Sequence, residues 1–136
     1  MRLMPACAFT FCALLLATGV IADDKPTSSS KMMLKAPTGD IAAGMQHEVR
    51  VIAASMGPKG VTDWHTHPYP VTVVVTHGTM IIEMEGRESK TIKAGEAWLE
   101  PVNVRMRGIN PSEIEPVSGY LFQVSEPNAP FLQPVH

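Results

Sequence analysis

From residue 46 onward the chain is a series of short β-prone runs, each closed by glycine or proline, and few folds can be built from such pieces. The runs fall at 48–56, 61–67, 71–76, 79–85, 88–92, 97–99, 102–107 and 117–124. Gly57-Pro58-Lys59-Gly60 closes the first, Pro68 and Pro70 the second, and His77-Gly78 the strongly β-branched third. A glycine supplies the positive φ that a tight hairpin demands. No segment places its apolar residues 3.6 positions apart. Many short strands at regular spacing predict an all-β sandwich or barrel. A closed barrel or jelly roll leaves the fewest free strand edges. Residues 125–136 hold Pro127, Pro130 and Pro134 and are expected as an extended coil tail.

At 136 residues the chain has room for one domain. Its 11 basic and 13 acidic residues are nearly balanced and form no basic stripe, so nucleic acid is not an expected partner. Residues 1–22 read as a secretory signal peptide: Arg2, an apolar stretch centred on Leu14-Leu15-Leu16, and Val20-Ile21-Ala22 ahead of Asp23-Asp24. The competing reading is an uncleaved anchor, for which the stretch is long enough, but Pro5 shortens the apolar run. A periplasmic or secreted location follows, with no membrane-embedded mature form. Cys7 and Cys12 lie in this leader, neither behind a lipoprotein box. Cleavage after Ala22 removes both, which excludes disulfides, thiol chemistry and Cys-ligated zinc. Residues 23–45 are expected as a flexible N-terminal segment and arm, Ser-rich at first, and 46–124 as the barrel.

His65-Thr66-His67 is the chemical signal. On a strand, residues i and i+2 share a face, so both imidazoles aim the same way and can reach one ion. Histidine is the commonest metal ligand, and two on one strand make half of a typical site. Val71, Val73 and Val75 share the parity of the pair and are expected to line the interior, leaving Thr72 and Thr76 outside.

The surrounding residues resemble a known family. Gly60, His65, His67 and Gly78 are spaced like the first motif of the cupins, and Gly95, Pro101, Met106 and Asn110 like the second. The resemblance spans most of residues 46–124 and implies an all-β cupin barrel of jelly-roll type. It also implies a homodimer paired through terminal arms, and a metal held by two histidines and a glutamate of motif one with a histidine of motif two. This chain departs from that set. The glutamate position is Val71, or Thr72 if the spacing is counted one longer. The third histidine position is Met106, and Asn103 stands where the family has a glycine.

Three readings of the site follow. His65 and His67 bind a metal with Met106 as a soft third ligand, which suits copper. Alternatively, the two histidines hold iron, manganese, nickel or zinc with water or substrate completing the sphere, and Met106 is apolar lining. In the third reading the site is metal-free and the barrel mouth binds a small organic ligand. Tyr69 and Val71 are the expected pocket residues. Asp63 could orient an imidazole or stand exposed at the turn. His77 belongs to a hairpin far from the pair, His136 to the tail, and Arg105 and Arg107 to the solvated face opposite Met106. A small-molecule binding protein and a metal-dependent enzyme of dioxygenase, isomerase or lyase type both remain open, since fold does not decide between them.

Overall fold

The computed structural model describes residues 31–35 and 44–135. The expected leader at 1–22, with Cys7 and Cys12, most of the expected N-terminal arm, and His136 lie outside the described residues. Nine strands follow one another: β1 (Glu48–Met56), β2 (His65–Thr66), β3 (Val71–His77), β4 (Thr79–Met84), β5 (Lys90–Lys93), β6 (Ala97–Glu100), β7 (Met106–Ile109), β8 (Val117–Ser125) and β9 (Gln133–Pro134). Among the described residues there is no helix. The all-β, jelly-roll expectation holds.

The strands form two antiparallel sheets, one in the order β1-β8-β3-β6 and the other β5-β4-β7-β2-β9. The first is built on long, regular pairing. β1 and β8 align over nine residues without a register shift. Their period-2 alternation turns Val117, Leu121 and Gln123 inward and leaves Val49, Val51, Tyr120 and Phe122 outside. Val71, Val73 and Val75 are fully buried, as their parity requires. They meet Ile82, Met84, Ile92 and Met106 from the second sheet, and with Val117 these residues form the core. Met80 and Met84 belong to this apolar packing. The β3–β4 hairpin turns at Gly78, whose φ of +76° is left-handed; a Cβ there would stand 2.7 Å from the Pro116 carbonyl.

The run 61–67 does not form the single strand its sequence predicts. Val61 bridges Ile109, whereas His65 pairs with Met106, so the register slips by one residue between them. The extra residue is a bulge at Asp63-Trp64, a device that bends a strand and re-aims the side chain that follows. The Thr62 hydroxyl accepts a bond from the Gly108 amide at 2.9 Å and holds the pairing on one side of the bulge. The run 102–107 is also displaced. Asn103 takes a left-handed φ of +55°, which asparagine tolerates better than most residues, and the strand begins only at Met106. Asn103 thus fills a backbone position that suits the family's glycine. The tail is corrected too. Residues 133–134 are not coil but a ninth strand paired to β2.

Candidate functional site

His65 and His67 do share a face. Their rings pack edge to face with centroids 4.9 Å apart. Each ring is fixed through Nδ1. His65 Nδ1 lies 2.8 Å from the Asp63 carbonyl and His67 Nδ1 2.8 Å from the Phe131 carbonyl. A carbonyl only accepts, so Nδ1 carries the proton in both rings and Nε2 is left for other work. Asp63 therefore orients His65 through its backbone, while its side chain is exposed. His67 is 2 % exposed, and its own carbonyl accepts a bond from the Asn103 amide at 2.9 Å, which ties the β6–β7 turn to the histidine motif.

The side chain that sequence reasoning missed is Glu100. It is 5 % exposed, and its Oε2 stands 3.1 Å from His67 Nε2. Glu100 ends β6 directly opposite Val71, the position where the motif glutamate is absent. A carboxylate thus stands on the strand hydrogen-bonded to β3, in register with Val71. The available signal was a lone glutamate after Ala97-Trp98-Leu99, on the inward parity set by Trp98, which packs against the core. Cross-strand register cannot be read from a sequence, so nothing linked it to Val71. Burial alone would keep His67 uncharged. The Glu100 hydrogen bond and charge, with the Phe131 carbonyl, outweigh it and raise the His67 pKa above its ordinary 6.5.

These residues stand on the wall of a cavity of about 370 Å³, a size typical of small-molecule pockets. His65, His67 and Glu100 supply polar groups to a lining otherwise dominated by residues such as Met56, Val73, Ile82 and Leu121. The other expected site residues lie elsewhere. Tyr69 is half-buried, its carbonyl taken by Gln123, and it does not line the cavity. Val71 is wholly buried between Glu100 and Gln123 in the sheet, one step beyond the lining formed by Val73 and Val75. Met106 pairs with His65 in register but is also wholly buried, in the core cluster and outside the cavity lining. His77 is exposed at the far end of β3. Asn110, the second motif's asparagine, is structural. Its amide donates to the carbonyls of Gly57 and Glu115 at 2.9 and 2.8 Å and accepts from the Ser112 amide. Arg105 and Arg107 are not simply solvated. They lie over the Trp64 ring, 4.4 and 4.7 Å from its centroid, and pair with Glu85 and Glu83.

Among the described residues no group of three or more His, Cys, Asp or Glu side chains is placed to hold a metal ion. Two do approach closely. Bond lengths near 2.1 Å put neighbouring ligands about 3.0 Å apart on an octahedral edge and about 3.4 Å on a tetrahedral one. The 3.1 Å between His67 and Glu100 falls in that range and is equally the length of the direct hydrogen-bonded contact between them. Committing Nδ1 to a carbonyl is the usual outer support of a metal-binding histidine.

No protein-family model and no curated protein matches this chain. Solved structures do. An uncharacterized conserved protein with a double-stranded β-helix domain from Klebsiella pneumoniae is similar at 17 % identity and a TM-score of 0.56, over 76 % of this chain and 91 % of that one. A cupin-like protein from Thermotoga maritima is similar at 21 % identity and a TM-score of 0.51, over 64 % of each chain. The fold is that of the cupins. A structure described as that of the DMSP lyases RdDddP and RnDddQII is also similar, at 15 % identity and a TM-score of 0.55, over 65 % of this chain. The cupin fold here spans only 44 % of that lyase and 64 % of the Thermotoga protein. At these identities the likeness is one of fold.

Proposed function

We propose that the chain is a small cupin that binds an organic ligand in its apolar cavity beside one divalent metal ion held by His67 and Glu100, which His65 would have to move to join, since the three do not stand as a metal-binding group in the structure. The observation that carries the reading is the His67–Glu100 contact at 3.1 Å on the cavity wall. Imidazole and carboxylate donors together suit iron, manganese, nickel or zinc better than copper. The wholly buried Met106 is apolar packing in this reading. An ion held there would supply a Lewis acid. The chain's own residues do the rest. The Asp63 and Phe131 carbonyls orient the imidazoles, and the apolar walls exclude water and select a ligand with a hydrophobic body. A second reading, an enzyme, draws support from the same pair, because a carboxylate-bonded imidazole can take up and return a proton. Proteins of this fold include DMSP lyases and a polyketide cyclase, which leaves that reading open without choosing a reaction.

The leader at residues 1–22 supports export, and we place the protein in the periplasm or outside the cell. The outer face of the four-stranded sheet supports a homodimer. Val49 and Val51 are 70 % and 57 % exposed on its edge strand β1, next to exposed Tyr120, Phe122 and Val124. A contiguous apolar face of this kind is a common interaction surface. An edge strand with no proline or lysine along nine residues is open to a second copy about a two-fold axis.

Elemental mass spectrometry on exported protein tests the metal. About one ion per chain is expected, lost in His65→Ala/His67→Ala and in Glu100→Ala, and retained in Met106→Leu. Loss of copper in Met106→Leu would point to the soft-ligand site. Absence of metal from every variant after reconstitution leaves a metal-free ligand-binding barrel.

A further inference from the structure

His65 carries a polar atom that the fold has not used. Its Nδ1–H donates to the Asp63 carbonyl at 2.8 Å, so in the neutral ring Nε2 holds a lone pair and can only accept. Nε2 has no hydrogen-bond partner among the described residues. No buried side-chain nitrogen or oxygen among those residues lacks a partner, so this atom is accessible. The strand decides what it is accessible to. His65 and His67 line the cavity and Thr66 between them does not, as the period of a strand requires. The half-buried His65 ring therefore offers a free acceptor on the cavity wall.

Neighbouring polar groups are already committed. His67 Nε2 and Glu100 Oε2 face each other at 3.1 Å. The Thr62 hydroxyl accepts from the Gly108 amide at 2.9 Å, and the Ser118 hydroxyl donates to that of Ser55 at 3.4 Å. Among the described residues the lining holds no lysine or arginine. Its acidic members are Glu100, which is paired, and Asp63, whose side chain is exposed. An anion in the cavity would meet no free counter-charge. An ion of either sign would leave water for walls such as Val73, Ile82 and Leu121, which is costly. An uncharged molecule escapes that cost, and one donor group on it satisfies His65 Nε2.

We propose that the cavity takes an uncharged, apolar molecule bearing one neutral hydrogen-bond donor, such as a hydroxyl, and that His65 Nε2 accepts that hydrogen. His65 is then a specificity-determining residue. The apolar walls supply affinity, and the imidazole orients the ligand and disfavours the same body without a donor. The Asp63 carbonyl has a part in this, because it fixes the tautomer that leaves Nε2 free. The proposal rests on the organic-ligand half of the reading above and not on the metal. An ion that drew His65 in would occupy the same Nε2, so the decisive measurement is made on metal-free protein.

The probes are naphthol and its analogue with a methyl group in place of the hydroxyl, one apolar body with and without the donor. Each is titrated by its own fluorescence at neutral pH into the parent and into His65→Phe. The probes differ in their affinity for water, so the quantity read is the ratio of their dissociation constants, compared between the two proteins. The parent should favour naphthol, relative to the variant, by about threefold to tenfold, the worth of one neutral hydrogen bond. The same ratio in both proteins overturns the proposal. A second measurement needs no variant. Long-range proton–nitrogen correlation spectra of the parent should show His65 Nε2 unprotonated, and its resonance should move with naphthol but not with the methyl analogue. A protonated Nε2 in the free protein, or a resonance that both probes leave in place, also overturns it. Naphthoate and naphthylmethylammonium should each bind about tenfold or more weakly than naphthol. Tighter binding of either ion overturns the uncharged ligand. If neither neutral probe binds the parent, the organic-ligand reading itself falls, an outcome distinct from equal ratios.

Discussion

The β1–β8 ribbon and the β2 segment are held together in opposite ways. The ribbon is nine residues of unbroken ladder, with an inner face that includes buried Gln123 and Ser125 beside Val117 and Leu121 and an outer face that carries Val49, Val51, Tyr120 and Phe122. β2 is two residues long, follows a bulge, and is fixed by individual groups: two carbonyls on two imidazoles, a carboxylate on one of them, and a tryptophan beneath two arginines. A ladder tolerates loss of any one side chain, because its neighbours carry the same information. A set of single contacts does not. The difference teaches where this protein is fragile: at the strand that carries its chemistry.

The sharpest way to break that comparison is Glu100→Ala. It leaves the buried His67 Nε2 without its partner, and removing one member of a buried pair costs about 3–5 kcal/mol. Urea unfolding of metal-free protein should register a loss of that order. A loss below about 1 kcal/mol would mean that water replaces the carboxylate and that His67 is less enclosed than its 2 % exposure indicates. Trp64→Ala comes next. Trp64 is half-buried, lines the cavity and stacks beneath Arg105 and Arg107. The expected cost is about 2–3 kcal/mol, below that of a fully buried aromatic, with each cation–π contact contributing about 0.5–1 kcal/mol. Arg105→Ala and Arg107→Ala in the Trp64→Ala background should then cost less than in the parent, which a double-mutant cycle measures.

The same contrast explains what the sequence could and could not disclose. The ribbon was legible. Strand β1 spans the β-prone run 48–56 that the sequence marks, and Val71, Val73 and Val75 point inward as their parity requires. Gly78 turns where a positive φ was expected. The site was half legible. The His-x-His spacing places His65 and His67 on one face, because that depends only on local period. Glu100 was not visible, since its meeting with His67 depends on which residue of β6 faces Val71. The bulge at Asp63-Trp64 was hidden for the same reason: a strand with one extra residue looks like a strand. The role of Phe131 arises from a contact 64 residues away in sequence, made by a backbone carbonyl that any residue could supply.

A smaller effect separates the two regions by pH. His67 has a pKa above its ordinary 6.5 in the folded metal-free protein. The folded state therefore binds the proton more tightly than the unfolded chain does. This stabilisation is fully present below about pH 6.5 and is lost as pH rises through the folded-state value. The unfolding midpoint of metal-free protein should fall over that interval, and Glu100→Gln should flatten the curve. A midpoint that rises with pH from 6.5 upward would contradict the orientation of the pair. A bound ion competes with this proton, so metal-loaded protein should lose the dependence.

The smallest effect on stability belongs to the outer face of the ribbon, and it carries the most information about assembly. Val51 is 57 % exposed, so Val51→Thr removes little buried apolar area within the monomer. An exposed substitution of this kind changes stability by no more than about 0.5 kcal/mol. The cross-strand contact with Phe122 survives in part, since threonine keeps the branched Cβ that suits a strand. Val51→Glu is different in a dimer and hardly different in a monomer. Two glutamates brought together across a two-fold axis on an apolar face must be desolvated without partners, which association cannot repay. Sedimentation analysis should find the parent as a dimer and Val51→Glu as a monomer with its metal content intact. A parent that sediments as a monomer removes the homodimer, and the apolar face then requires another partner. A Val51→Glu protein that still dimerises moves the interface away from β1. In either case the site should be unaffected, because Val51 points out of the sheet whose other face lines the cavity.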